Sequence, residues 1–463
     1  YVHDLHRADV DAWARTHGFT EDELAWIQPS YPPTTVWNAL GGGTNGTVTV
    51  LLKLDDGNLV VAGDFTQAGG LMVTNEALWN GSTFSALGSG VSGSITCGAV
   101  LGNDIYLGGS SIAGSNDLAH WNGTQWSYTS VFAGKSPLMF ALHVHDGTLY
   151  ASGESVGFAG SDEKVASLSS GVWTFLPGTF NAPVYCLGSH DGQLVAGGQF
   201  TGIELGDPVL SAQHIAPYAT TGWAELGDGL DATVHALLDV DGTLYAGGDM
   251  YANIAVLFGL ARINANATTW EQLMPGLGSY IAANVGVTQV RALTTDGEYV
   301  YIGGGFNMTQ FTVFGSSVAR FEGTPDSFTP MADLNAPVDA LVHDQSGSGS
   351  FGLIAGGEFD QNSGGDLPHL ARTEFTTGIH APLLTQGPVL FPNPATDQLT
   401  ITVDHSIPAN STMEVVDDQG RSMIKSNLSQ RVTTLDVSRF APGAYIVRMV
   451  IGGAATTSPF VKR

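Results

Sequence analysis

Cysteine is almost absent from this chain of 463 residues: only Cys97 and Cys186 occur, too few for a disulfide framework. Positive charge is scarce too. Sixteen Lys and Arg face 43 Asp and Glu, a formal net charge of −27. Such an acidic chain is a poor partner for nucleic acid or for an anionic membrane surface. No apolar run reaches the roughly eighteen residues that a transmembrane helix needs, so no membrane insertion is expected. The chain opens on Tyr1 without Met or an apolar leader, as a processed export product or an excised piece would.

Glycine is abundant. The 61 glycines follow no collagen-like period, and 43% of residues are hydrophobic. That combination suits many short strands joined by tight turns, because helices tolerate glycine poorly. The charge is also uneven. Residues 1–378 hold 9 Lys and Arg against 37 Asp and Glu, whereas residues 379–463 hold 7 against 6.

A repeat explains the glycines. Segments of the type "LYAGGD" recur with aligned glycines at Gly63, Gly109, Gly153, Gly198, Gly248, Gly304 and Gly357. Each repeat follows one grammar. A strand of the Val-x-Ala-Leu type, such as "VHAL" (234–237), leads into a turn that is often Asp-Gly, a strong hairpin signal. The glycine-marked strand comes next. A third strand often ends in Asn-Gly, and a fourth opens on an aromatic: Phe84, Trp126, Trp173, Trp223, Trp270 or Phe328. Four short strands per repeat make a propeller blade. The seventh repeat lacks its aromatic strand, while "VWNAL" (36–40) precedes the first repeat without belonging to one. The reading is an all-β, seven-bladed β-propeller over 36–378, its ring closed by Trp37 in the seventh blade. The paired glycines are expected where neighbouring blades crowd.

These repeats resemble the kelch family and related bacterial propeller repeats, which also carry a glycine pair on the second strand and an aromatic in the fourth. The kelch Tyr and Trp spacing is kept only in part. Kelch-like propellers serve many functions, so the resemblance implies a fold rather than an activity.

The ends differ from the repeats. Residues 1–35 read as a helical cap: "HRADVDAWARTHGF" has apolar residues on helical spacing, and Thr20 and Glu23 form a capping box. Residues 379–388 read as a linker. Residues 389–463 carry short strand and turn signals that suggest a small Ig-like β-sandwich. "FPNPATDQLTI" (391–401), "VVDDQGR" (415–421), "LDVSRFAPGAYIV" (435–447) and "FVKR" (460–463) together resemble the C-terminal sorting domain of proteins exported by the type IX secretion system of Bacteroidetes. The motif residues are Pro392, Asn393, Pro394, Asp418, Gly420, Pro442, Gly443 and Tyr445. The resemblance implies a type IX translocon as partner, export to the cell surface or medium, and in many members removal of this domain.

Functional residues are expected at one mouth of the propeller channel, where each first strand starts and each second strand ends. The variable position of the Val-x-Ala-Leu motif gives Val50, Thr96, Phe140, Tyr185, His235, Arg291 and Asp339. The residues after the aligned glycines are Asp64, Ser110, Glu154, Gln199, Asp249, Gly305 and Glu358. Tyr185, His235, Arg291, Asp339, Asp64, Glu154, Asp249 and Glu358 are the candidate ligand residues, for a glycan, a cation or a peptide. His143 and His145 are read as an exposed pair near a turn rather than a metal site, and the two cysteines as small buried fillers. Asn45, Asn122 and Asn307 belong to seven Asn-x-Ser/Thr sequons, read as turns. No nucleophile triad, carboxylate pair or nucleotide loop stands out, so no catalytic residue, metal or cofactor is expected. The favoured role is extracellular recognition or scaffolding of a glycan or protein ligand. The alternatives are a propeller enzyme acting on glycans and a structural subunit of a surface assembly.

Overall fold

The computed structural model describes residues 36–132, 137–157, 160–207, 209–220, 222–249, 251–252, 256–257, 259–264, 268–273, 289–306, 317–321, 323, 328–332, 334–344, 351–362, 365–375, 389–391, 395–402, 411–417, 421–428, 432–441, 443–451 and 454–462. Among them the protein is all β, apart from one 3-10 turn at Leu40–Gly42. The helical cap expected over 1–35 lies outside the described residues. The chain divides into two compact units, Tyr1–Phe375 and Thr376–Arg463.

In the first unit the repeats fold as antiparallel sheets in chain order, first strand to fourth. Repeat one pairs Val48–Lys53, Leu59–Gly63, Glu76–Trp79 and Phe84–Ser85 in that order. The Asp-Gly turns explain the tight returns. Asp191 and Gly192 have φ of 49° and 68°, and Asp241 and Gly242 have 50° and 78°. A type I′ turn needs positive φ at both central positions, and Asp and Gly reach it with little strain. Repeats two and three lie in one 11-stranded sheet, joined where Leu138 pairs Ser110 and extended by three short strands, Thr179–Phe180, Gly202–Glu204 and Leu210–Ser211, instead of in separate sheets.

The seventh sheet is built from both ends of the repeat region. Its order is Trp37–Ala39, Leu370–Phe375, Phe351–Gly357 and Val338–Asp344. Trp37 pairs Thr373. Other third strands place the same position opposite the fourth-strand aromatic: Trp79 faces Phe84, Trp121 faces Trp126, Tyr218 faces Trp223 and Phe321 faces Phe328. The residue two before it is a buried Ala in each case: Ala77, Ala119, Ala216, Ala319, and Ala371 in repeat seven. The Trp37 indole is buried and donates from Nε1 to Met331 O at 2.8 Å, bridging to repeat six. Trp126, Trp223 and Trp270 make the same bond to Leu87, Pro177 and Leu226 of the preceding repeat. A buried N–H costs free energy unless it is bonded, so each indole ties a fourth strand to its neighbour.

The first strands lie side by side in repeat order, one to seven, and the strand of repeat seven also lies beside that of repeat one. Apolar clusters fill the seams. Leu40, Val48, Leu51 and Leu59 pack with Ala340, Ile354 and Leu370 between repeats seven and one. The glycine pairs have two separate jobs. A Cβ on Gly247 would sit 2.5 Å from Val290 Cγ1 of the next repeat, and one on Gly248 would sit 1.9 Å from Thr233 O of its own first strand. The first glycine thus lets sheets meet, as the sequence reading expected of both. The second makes room for a kink in the first strand. Gly356 repeats the first job against Val48 of repeat one, at 2.4 Å.

The second unit holds a three-stranded sheet (Val389–Phe391, Gln398–Thr402, Val432–Asp436) and a four-stranded one (Ser422–Asn427, Thr412–Asp417, Gly443–Ile451, Ala454–Lys462). Leu399, Ile401 and Leu435 from the first sheet share one core with Met413, Val415, Val447 and Phe460 from the second. Tyr445 is buried in this core and donates from its hydroxyl to Ala441 O at 2.9 Å, fixing the bend before its strand. Gly443 opens that strand. Pro392, Asn393, Pro394, Asp418, Gly420 and Pro442 lie outside the described residues.

Candidate functional site

Each first strand of the repeats is interrupted at one place. The register shifts between Val48 and Val50, Ile95 and Cys97, Met139 and Ala141, Val184 and Cys186, Val234 and Ala236, Val290 and Ala292, and Val338 and Ala340. A bulge leaves one residue unpaired and re-aims its side chain. The bulged residues are Thr49, Thr96, Phe140, Tyr185, His235, Arg291 and Asp339. This corrects the sequence alignment at one point: Val50 pairs Ala62 and packs in the core, and Thr49 holds the variable position. The "TVTVLL" run offers two phases, and only the pairing selects one.

The residues that follow the glycines sit against these bulges. Asp64, Gln199, Asp249 and Glu358 each donate a backbone N–H to Thr47, Pro183, Thr233 and Pro337, two residues before the bulge. The bulge residue and the residue after the glycine therefore share one end of these sheets.

Neighbouring bulges touch in different ways around this end. Thr49 Oγ1 donates to Ile95 O and Thr96 Oγ1 to Met139 O, both at 2.7 Å, tying repeats one, two and three. Phe140 meets Tyr185 edge-on at 5.3 Å, and Tyr185 stacks on His235 at 5.3 Å. His235 Nε2 lies 3.3 Å from Asp249 Oδ1, an ion-pair distance if the ring is protonated. The alignment is too poor for a hydrogen bond, and both atoms are buried with no hydrogen-bond partner among the described residues. Arg291 Nη1 reaches Asp339 Oδ1 at 2.7 Å and Glu358 Oε1 at 3.0 Å, and its Nε donates to Gln289 at 3.0 Å. Burial opposes the Arg291 charge, but the hydrogen bonds and charges of Asp339 and Glu358 prevail and raise its pKa. Burial raises the Asp339 carboxyl against the pull of Arg291. Arg291 is thus a cross-link between repeats six and seven. Asp64 and Glu154 make no side-chain hydrogen bond or ion pair among the described residues.

The result is an aromatic row with an acidic border. Its chemistry is that of stacking and hydrogen-bond acceptance. Among the described residues no three His, Cys, Asp or Glu converge to hold a metal ion. Three asparagines brace the same end, and sequence reasoning missed them. Asn45 Oδ1 accepts from Thr66 N and Gln67 N, Asn181 Oδ1 from Thr201 N and Gly202 N, and Asn335 Oδ1 from Asp360 N and Gln361 N. Each stands three residues before the motif valine (Val48, Val184, Val338), a recurrence readable in the sequence. Asn45 is therefore a clasp, Asn122 caps its own turn through Thr124 N and Gln125 N, and Asn307 lies outside the described residues.

At the opposite strand ends the histidine pair departs from expectation. His143 Nε2 and His145 Nδ1 both turn in to Ser189 Oγ, at 2.8 and 2.9 Å, and the His145 side chain is only 11% exposed. Burial, with His145 beside it, lowers the His143 pKa to about 4, so its ring is neutral at physiological pH. Cys97 and Cys186 are free and buried, and burial pushes the Cys97 thiol up to about 12.

Residues 389–463 match the family model of a secretion system C-terminal sorting domain. This is the segment whose motifs resembled that domain in the sequence. No curated protein matches the chain. Among solved structures it is similar to PorZ, described as an essential bacterial surface component of the type IX secretion system of Porphyromonas gingivalis. That likeness has 14% identity, covers 90% of this chain and 74% of that one, and has a TM-score of 0.25. A protein of unknown function from Bacteroides thetaiotaomicron shares 10% identity over 73% of this chain and 99% of its own, with a TM-score of 0.32. A GH43_1 enzyme from Xanthomonas citri complexed with xylose shares 10% over 80% and 92%, with a TM-score of 0.26. At these TM-scores the likenesses carry no argument about mechanism. The sorting domain marks the chain for type IX export, to the cell surface or the medium. No helix among the described residues is long and apolar enough to cross a membrane.

Proposed function

We propose that the repeats form a closed, kelch-like, seven-bladed β-propeller sealed by Trp37, and that its bulged mouth recognises an extracellular glycan or protein ligand. Residues 389–463 act as the separate export module that engages the type IX translocon. Closure is supported by the first strands neighbouring one another in turn, the seventh returning to the first. The observation that carries the recognition role is the row Phe140–Tyr185–His235, held at the bulges between Glu154 and Asp249. Aromatic faces stack on sugar rings or peptide side chains, and carboxylates accept their hydroxyl or N–H groups. Arg291, held by Asp339 and Glu358, keeps the rest of the rim in place.

A glycan array and an affinity capture from the cell envelope identify the ligand class. Tyr185→Ala and His235→Ala are each expected to weaken binding by about tenfold or more, as loss of a central contact does. Unchanged affinity in a folded double variant would remove this mouth as the site. Release of shortened sugars from polysaccharide pools would replace recognition by turnover.

A further inference from the structure

The sequence holds three Asn-Gly steps, at 45–46, 80–81 and 122–123. We infer that the fold directs spontaneous deamidation to Asn80 and Asn122 and spares Asn45. The reaction is self-contained apart from water. The backbone nitrogen of the following glycine attacks the Asn Cγ and loses its proton. Ammonia leaves with the side-chain nitrogen, closing a succinimide ring. Water then opens that ring to aspartate or isoaspartate.

All three steps have the same reacting residues, so any difference in rate comes from their surroundings. Asn80 and Asn122 occupy equivalent exposed turns between the third and fourth strands of repeats one and two. Asn80 Oδ1 accepts from Ser82 N at 3.0 Å and Thr83 N at 2.9 Å, and Asn122 Oδ1 accepts from Thr124 N and Gln125 N, both at 3.0 Å. During attack, negative charge develops on this oxygen, and backbone donors already aimed at it stabilise that charge. The donors ride on the same turn as the nucleophile, so they can follow the small movement that attack requires. A Cβ added to Gly81 or Gly123 would meet no atom beyond the adjacent residues within 4 Å, so there is room for the turn to shift and for water to enter.

Asn45 is held otherwise. Its Oδ1 accepts from Thr66 and Gln67 on a different segment, and its Nδ2 donates to Thr66 Oγ1 at 2.9 Å. Turning this side chain towards Gly46 N breaks all three bonds, and the leaving nitrogen is one of the atoms held. Gly46 is also confined: a Cβ there would lie 2.2 Å from Asp64 O.

The test is incubation of the full chain at mildly alkaline pH and 37 °C, folded and in denaturant, followed by peptide mapping that separates Asp from isoAsp. In denaturant the three sites are expected to convert at similar rates. In the folded chain Asn80 and Asn122 should convert at least about tenfold faster than Asn45, a barrier difference of about 1.4 kcal/mol. Thr66→Ala removes the bond that holds the leaving nitrogen, Nδ2 to Thr66 Oγ1, keeps the two backbone donors and leaves the Asn-Gly step intact, and it should narrow the gap. Equal rates in the folded chain, or faster conversion at Asn45, would overturn the inference.

Discussion

Glu76 is fully buried, and among the described residues its carboxyl has one weak partner, Leu87 N, 3.3 Å from Oε2. Burial raises its pKa from 4.5 to about 8. Below pH 4.5 the group is protonated both folded and unfolded and leaves stability untouched. As pH rises towards 8 only the unfolded chain gains by releasing the proton, so stability falls across that window. The shift corresponds to a loss of roughly 3 kcal/mol by pH 7. Glu76→Gln should leave stability unchanged near pH 4 and raise it near pH 8, as read by denaturant midpoints at both pH values. His143 acts at the other end of the range. Its pKa is lowered to about 4, so stability is full above the ordinary histidine value of 6.5 and is lost as pH falls through 4. His143→Gln should flatten the acid limb of the same pH series.

At the scale of the strand, Trp37 is the most exacting position. Trp37→Ala removes a buried ring and its hydrogen bond to Met331 O, a cost of about 3–5 kcal/mol by analogy with other large-to-small core changes. Trp223→Ala removes an equivalent bond to Pro177 O and is the matching control inside the repeat array. Equilibrium unfolding should show both losses. The Trp37 variant alone should also gain protease sensitivity in the 338–375 sheet. Much of this level was legible in the sequence, because alternation and Asp-Gly turns act within a few residues, and the glycine pairs, whose contacts are distant, recur at a fixed place in the repeats. What escaped depended on partners far along the chain. Thr49 and Val50 are both β-branched, and only pairing with Ala62 tells them apart. Glu76 looks like a surface acid until Leu87 covers it. Asn45 reads as a sequon until Thr66 and Gln67 donate to it.

For the whole molecule, charge sets the response to solution conditions. Residues 1–378 carry the whole acidic excess, with 9 Lys and Arg against 37 Asp and Glu. Like charges repel in the compact state and salt screens them within about 10 Å at 0.1 M. The unfolding temperature should therefore rise between low salt and 0.15 M sodium chloride. It should do so less for residues 389–463 alone, if that module folds independently. A flat response in the full chain would mean that the acidic surface is already neutralised by bound cations.

Sharing one sheet between residues 37–39 and 338–375 also imposes an order in time. The ribosome makes Trp37–Ala39 before the rest of that sheet, and its partner Thr373 arrives only after every intervening repeat. Until then the strand must stay unpaired, a template for wrong neighbours. Such a distant pairing is slow to find, so the last sheet is expected to complete late. A chain built this way suits a cell that keeps it from closing early and lets the two ends meet at its destination.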